Sequence, residues 1–199
     1  MPRLLLATNN AGKVAELRRL LDGCGWQIVT PAEAGLNLAV EESGQTYAEN
    51  ATIKAVAYAR AGGLVTLADD SGLEVDALDS RPGIHSARYA GPDRTDAQRV
   101  EALLEELRDV PDEGRGARFR AVIAIATPGE RVDLVEGTVE GRIARAPRGE
   151  NGFGYDPVFL LPERGLTTAE LPPDEKDAVS HRGAAARKAR AVLGRMLHE

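Results

Sequence analysis

Arg3-Leu4-Leu5-Leu6-Ala7-Thr8-Asn9-Asn10-Ala11-Gly12-Lys13 is the stretch that decides the fold. Arg3 to Ala7 is a short apolar run and reads as a buried strand. Thr8 to Gly12 breaks it with turn-forming residues. Beyond the break, Val14, Leu17, Leu20 and Leu21 fall on one helical face, with Glu16, Arg18 and Arg19 on the other. Trp26 to Thr30 reads as a second strand. Strand, turn, helix, strand is the opening of a parallel sheet, so an α/β fold is expected.

The pattern continues outward from there. Thr46 with Glu49 predicts a capping box that opens a helix running to about Ala61, ended by Gly62-Gly63. Leu64 to Ala68 predicts a strand that delivers Asp69-Asp70-Ser71-Gly72 at its C-terminal end, followed by a separate short strand over Leu73 to Leu78. Asp79 to Asp93 reads as a loop, and Thr95 with Gln98 caps a helix through Leu107 that turns Val100, Leu103, Leu104 and Leu107 inward. Arg118 to Ala126 and Arg131 to Glu140 predict a hairpin about Pro128-Gly129. Gly141 to Gly154 reads as a long loop, Asp156 to Leu161 as a strand, Thr168 as the start of a short helix, and Asp177 to His198 as holding the last helix. No internal repeat or clear linker interrupts residues 1–199, which read as a single domain with room for two lobes around a cleft.

Composition narrows the function classes. The 199 residues are 43% hydrophobic and 28% charged, the balance of an ordinary globule. Lys plus Arg number 25 against 31 Asp plus Glu, a net charge of −6, which disfavours a polynucleotide partner but not a single nucleotide. Cys24 is the one cysteine, so no internal disulfide or cysteine-built zinc cluster can form, and it reads as a small filler between the first helix and the next strand. The N-terminal apolar run is too short for a signal peptide, and no segment approaches the ~20 apolar residues of a membrane span. The cytoplasm is the expected compartment, with no membrane partner.

Four segments carry groups suited to chemistry. Thr8-Asn9-Asn10 with Lys13 lies between strand and helix, where unpaired N–H groups and partial positive charge favour phosphate; the plainer reading is a polar cap on a surface helix. It is not a Walker A loop. Asp69-Asp70-Ser71 places two acids together at a strand end, where Mg²⁺ would relieve their repulsion; a solvated turn is the alternative. Glu41-Glu42 is a second acidic pair, which alone reads as a solvated turn or helix-entry charge. Phe153-Gly154-Tyr155-Asp156 suits a flap, with Phe153 stacking on a purine and Tyr155 and Asp156 toward sugar or phosphates; a tight turn with its aromatics in the core competes. Lys176 with His181-Arg182 offers donors for a phosphate or a base edge, against a structural histidine. With no nucleophile elbow, GxGxxG turn or His-rich motif, the set suits metal-assisted attack of water on a phosphate ester.

Taken in order, these segments resemble the inosine triphosphate pyrophosphatase family of non-canonical purine nucleotide hydrolases, from Leu4 to Leu197. The resemblance rests on Thr8-Asn9-Asn10 with Lys13 and Glu16; Thr46 with Glu49-Asn50 and Lys54; Ala68 to Leu73; Pro82-Gly83 with Ser86 to Tyr89; Gly152 to Pro157; and Ala169-Glu170, Glu175-Lys176 and Ser180-His181-Arg182. It implies an elongated α/β domain with a central mixed sheet and two lobes flanking a nucleotide cleft, a homodimer, and dependence on Mg²⁺. By position it implies that Thr8, Asn9, Asn10 and Lys13 bind the triphosphate. Glu42 and Asp70 hold the metal, with Asp69 a further candidate ligand, and Asp70 is the general base. Lys54, Ser71, Phe153, Gly154, Tyr155, Asp156, Lys176, His181 and Arg182 complete the site. The substrates implied are ITP, dITP and XTP, cut to monophosphate and pyrophosphate. Donors from Arg182, His181 or backbone N–H groups would accept the 6-carbonyl of the base and reject adenine's amino group. A nucleotide-sensing module and a pyrophosphatase for modified pyrimidine nucleotides are the competing functions.

Overall fold

Leu4, Leu5 and Leu6 are fully buried, and their strand organises a mixed sheet around itself. A computed structural model describes residues 1–129 and 131–198. In chain order the main elements are β1 (Arg3–Leu6), α1 (Ala11–Leu20), β2 (Gln27–Val29), α2 (Tyr47–Gly62), β3 (Val65–Val75), α3 (Asp96–Glu106), β4 (Gly116–Ala126), β5 (Val132–Ile143), β6 (Phe159–Leu161), β7 (Leu166–Thr167), α4 (Pro173–Val179) and α5 (His181–Met196). The seven strands lie in the order β2-β1-β3-β4-β5-β6-β7. β1 pairs in parallel with β2 and with β3, whereas β5 with β6 and β6 with β7 are antiparallel, so the sheet is mixed as the resemblance implies.

Two compact units divide the chain. The first comprises Met1–Asp70, Ala121–Gly137 and Arg182–Glu199, the second Ser71–Arg120 and Thr138–His181. In the first, Leu4, Leu6, Leu17, Leu67, Ile123 and Leu193 form the core, and Ala185, Ala186 and Ala189 bring α5 close to it. Trp26 Nε1 donates to Leu193 O at 3.1 Å, which satisfies the one polar atom of a large apolar ring. Cys24 packs against this core. In the second unit, Leu73, Val75, Leu103, Leu107, Tyr155 and Phe159 pack together.

Several boundaries differ from expectation. β3 is one continuous strand, so Asp69 to Gly72 lie mid-strand rather than in a turn between two strands. Its parallel pairing with β1 ends at Leu6↔Leu67, and the acids follow immediately. Glu16 was expected on the polar face of α1 but is 4% exposed. At α2 the capping box is half formed: Thr46 Oγ1 accepts from Glu49 N at 3.1 Å, but Glu49 Oε2 takes Gln45 N at 2.6 Å. The Thr95–Gln98 box on α3 is complete. β5 runs on through Gly141 to Ile143, where the sequence predicts loop. Asp156 to Val158 is a 3₁₀ turn before the short β6, because Pro157 lacks the N–H a strand would need. β7 and α4 have no counterpart in the sequence pattern, and Ser180, extended at φ −75° and ψ 160°, ends α4 before His181 opens α5.

Candidate active site

The first unit gathers four acids and three bases from five segments. β3 carries Asp69 and Asp70, which point to opposite faces because successive strand residues alternate. On one face, Asp69 Oδ2 meets Lys13 Nζ of α1 at 2.7 Å and Arg182 Nη2 of α5 at 3.2 Å. Arg182 is 2% exposed, and its Nη1 also holds Glu16 Oε2 at 2.6 Å. On the other face, Lys54 Nζ of α2 bridges Asp70 Oδ1 at 3.3 Å and Glu42 Oε1 at 3.1 Å. The backbone carbonyl of Asp69 accepts from both lysines, from Lys13 at 3.3 Å and Lys54 at 3.1 Å.

The two neighbouring acids are therefore electrostatically unlike. Burial pushes the Asp69 carboxyl up, but the charges of Arg182 and Lys13 outweigh it and hold the group well below the usual carboxylate range. For Asp70, burial dominates over the attraction of Lys54 and Lys13, and the carboxyl is raised. Its Oδ2 is buried with no hydrogen-bond partner among the described residues. Burial lowers Lys13, whereas Lys54 is raised because Asp70 and Glu42 overcome the burial penalty. Asp69 is held by two cations, whereas Asp70 is a buried carboxylate that shares Lys54 with Glu42.

The start of α1 lies in the same unit. Asn10 is its N-cap and accepts from Lys13 N through Oδ1 at 3.0 Å, while Thr8 Oγ1 accepts from Asn10 N at 3.1 Å. These contacts shape the turn and leave Asn9 exposed. Asn50, fully buried on α2, accepts Gly44 N at 2.8 Å and so fixes the chain just after Glu42. No group of three His, Cys, Asp or Glu able to hold a metal occurs among the described residues.

The second unit holds the remaining candidates. Asp156 is buried and ion-paired to Lys176; its Oδ2 also accepts Phe153 N at 2.9 Å, and its Oδ1 accepts Thr168 Oγ1 at 2.8 Å. Lys176 Nζ stands 5.2 Å from the centre of the half-buried Phe153 ring, within cation–π range. Gly152 and Gly154 flank Phe153 at φ +76° and +63°, the left-handed region that favours glycine. Tyr155 is part of the core, and its hydroxyl donates to Ser86 O at 2.9 Å. His181 is buried and stacks on Phe119, with ring centres 4.7 Å apart. Ser71 is half-buried on β3.

The structure brings several of the candidate residues together in two groups. Lys13, Lys54, Glu42, Asp69, Asp70 and Arg182 form one network, and Phe153, Asp156 and Lys176 another. Arg182, expected to face a base, instead binds two carboxylates; Tyr155, expected to face sugar or phosphate, lies in the core. Sequence reasoning missed Glu16 as the partner of Arg182 and Thr168 as a ligand of Asp156. An acid on an otherwise basic helix surface was the one available signal for Glu16.

Fold and site together define a mixed α/β protein with a buried carboxylate–lysine cluster at the end of a parallel strand pair. The chain belongs to the Ham1 family, whose model matches residues 4–192. The dITP/XTP pyrophosphatase of Desulforamulus reducens is 51% identical over 98% of this chain and 96% of its own length. That of Bacillus subtilis is 46% identical over 97% and 98%. Among solved structures, a HAM1 protein from Coxiella burnetii superposes with a TM-score of 0.87 at 45% identity, covering 97% of this chain and 98% of that one. The Staphylococcus aureus Ham1 protein gives a TM-score of 0.85 at 39% identity, covering 96% and 97%.

Proposed function

We propose that this chain is a nucleoside triphosphate pyrophosphatase that hydrolyses non-canonical purine nucleotides, ITP, dITP and XTP, to the monophosphate and pyrophosphate, with Mg²⁺ as its cofactor. The observation that carries the reading is the divergence of the acid pair: Asp69 is neutralised by two cations, whereas Asp70 shares Lys54 with Glu42 and is raised by its burial. A buried, raised carboxylate suits a general base. The names of the relatives support the substrate class.

The donor set fits Mg²⁺. The ion is usually held by one or two carboxylates, with substrate phosphates and water completing its shell, and Asp70 and Glu42 supply two carboxylates without a dedicated cage. When bound it would lower the pKa of a coordinated water and offset phosphate charge. Asp70 takes the proton from the water that attacks the α-phosphorus. Lys13 and Lys54 stabilise charge on the leaving pyrophosphate, and Thr8 to Lys13 receive the phosphates at the start of α1. Glu16 and Arg182 keep Asp69 ionised and Lys13 in place.

In the second unit, Phe153 stacks on the base and Lys176 presents a donor to its carbonyl edge. Asp156 aims both, through the Phe153 N–H and the Lys176 ammonium. Ser71 contacts substrate. No helix among the described residues is long and apolar enough to cross a membrane. The enzyme is assigned to the cytoplasm, where its nucleotide substrates are, and to a homodimeric state that light scattering would check.

The test is pyrophosphate release from ITP, XTP, dITP, ATP, GTP and a pyrimidine panel, with and without Mg²⁺, beside Asp70→Asn. Metal-dependent release from the first three alone, lost in the variant, is expected. Nucleotide binding without release from any would replace this reading with a sensing module. In heavy-oxygen water the label should enter the monophosphate; label in pyrophosphate would exclude attack at the α-phosphorus.

A further inference from the structure

Within the second unit, a cavity of about 390 Å³ lies where β5 ends, lined by Arg115, Arg142, Arg145 and Arg148, with Asp112 the one acid on its wall. None of these side chains belongs to the candidate active site. Arg145 is paired with Asp112 at 2.7 Å, and Arg148 reaches Glu170 at 3.4 Å. Arg115 and Arg142 form no ion pair among the described residues.

Arg115 is the unusual member. It is 2% exposed, yet its guanidinium meets only carbonyls: Nε donates to Ile143 O at 2.8 Å, Nη1 to Leu107 O at 2.6 Å and Nη2 to Ala144 O at 3.1 Å. A guanidinium has five N–H donors, so two remain beyond these three bonds. A buried charge ordinarily has a counter-charge in contact; among the described residues Arg115 has none in ion-pair contact, and Asp112 acts on it only from further away. Burial and the neighbouring Arg145 charge push the Arg115 pKa down and outweigh the opposing pull of Asp112, a direction an added anion would reverse. Arg142 is exposed on the same wall, and its side chain makes no hydrogen bond or ion pair among the described residues.

We propose that this cavity binds an oxyanion of the phosphate class, with Arg115 and Arg142 as its principal donors. The guanidinium fork matches phosphate oxygens in pairs, and the cavity is large enough for a phosphorylated small molecule as well as a free ion.

The full-length protein, labelled with ¹⁵N, is titrated separately with inorganic phosphate, inorganic pyrophosphate and glycerol phosphate. Saturable shifts of the Ile143 to Ala146 amides and of the Arg115 Nε–H are expected. The probe that saturates at the lowest concentration identifies whether the source is a free anion or a phosphomonoester. Arg142→Ala should weaken the titration at least about tenfold while the spectrum elsewhere stays unchanged, because losing a charged hydrogen-bond donor is worth that much. Absence of these shifts with all three probes, or shifts that Arg142→Ala leaves unaltered, would overturn the proposal.

Discussion

Replacing Asp69 and Asp70 by asparagine, one at a time, should separate two residues that look alike in sequence. Asp69 Oδ2 lies 2.7 Å from Lys13 Nζ and 3.2 Å from Arg182 Nη2. At an effective dielectric near 20, these attractions are worth about 6 and 5 kcal/mol before desolvation is subtracted. Asparagine removes the anion and leaves Lys13 and Arg182 buried, and breaking buried pairs this way costs about 3–5 kcal/mol. For a chain of this size each kcal/mol lowers Tm by roughly 2–4 °C, so Asp69→Asn should lose at least about 6 °C. Asp70 is different. Its desolvation exceeds the attraction of Lys54, so the fold disfavours its charge, and Asp70→Asn should hold Tm to within about 2 °C. Pyrophosphate release should nevertheless fall by about 10²–10⁴, the range of a lost general base. Differential scanning calorimetry beside a turnover assay reads both quantities. Equal destabilisation by the two variants would refute the division of roles.

Three further outcomes are expected. Glu16→Ala leaves Arg182 with a single acid and should cost about 3 kcal/mol in denaturant unfolding, whereas Arg18→Ala, breaking an exposed pair with Glu33, should cost at most about 1 kcal/mol; similar values for the two would show that the buried network is not stabilising. Gly152→Ala would drive a Cβ into Asp156 Oδ2 and to 2.9 Å from Lys176 Nζ at a left-handed φ of +76°, so the Lys176–Asp156 pair must shift. Its Tm should fall by several degrees, with KM rising if Phe153 stacks on the base, and an unchanged Tm would contradict the packing described. The Glu33 carboxyl, held down to about 2 by hydrogen bonds from the Arg18 side chain and Thr30 N, lies below its unfolded value near 4. Its stabilising contribution is therefore full above about pH 4 and lost as the pH falls toward 2. NMR titration of Arg18→Ala should return the Glu33 midpoint toward about 4.

What could be read in advance was governed by local rules. The apolar run and the break at Thr8 yielded β1, α1 and β2, and Thr95 with Gln98 yielded the cap of α3. The misreadings share a cause: partners distant along the chain. Glu16 is buried because Arg182, 166 residues away, faces it. Asp69 and Asp70 sit inside a strand because Lys13, Lys54 and Arg182 offset charges that would otherwise end it. Gly141 was read as loop punctuation, yet it lies in β5, where a Cβ would stand 2.6 Å from Leu160 O. There glycine marks close approach of two backbones rather than a turn. The segment after Pro172 was opaque for another reason: α4 has seven residues, too few for an apolar period to emerge.

The two ion-paired groups also differ in how they relate stability to function. In the second unit, Asp156 meets Lys176, Thr168 Oγ1 and the Phe153 N–H, a saturated arrangement that orients an aromatic ring. In the first unit, four carboxylates face three cations, and the mismatch falls on Asp70 and Glu42, which share Lys54. Had Glu16 and Arg182 been absent, Asp69 would compete with Asp70 for lysine charge, since the Asp69 carbonyl already accepts from both lysines. Fixing Asp69 with Arg182 directs the remaining imbalance to the pair that contains the carboxylate the proposed chemistry requires to be reactive. A locally unfavourable carboxylate in an otherwise consistent sequence is where function, rather than folding, explains the choice of residue.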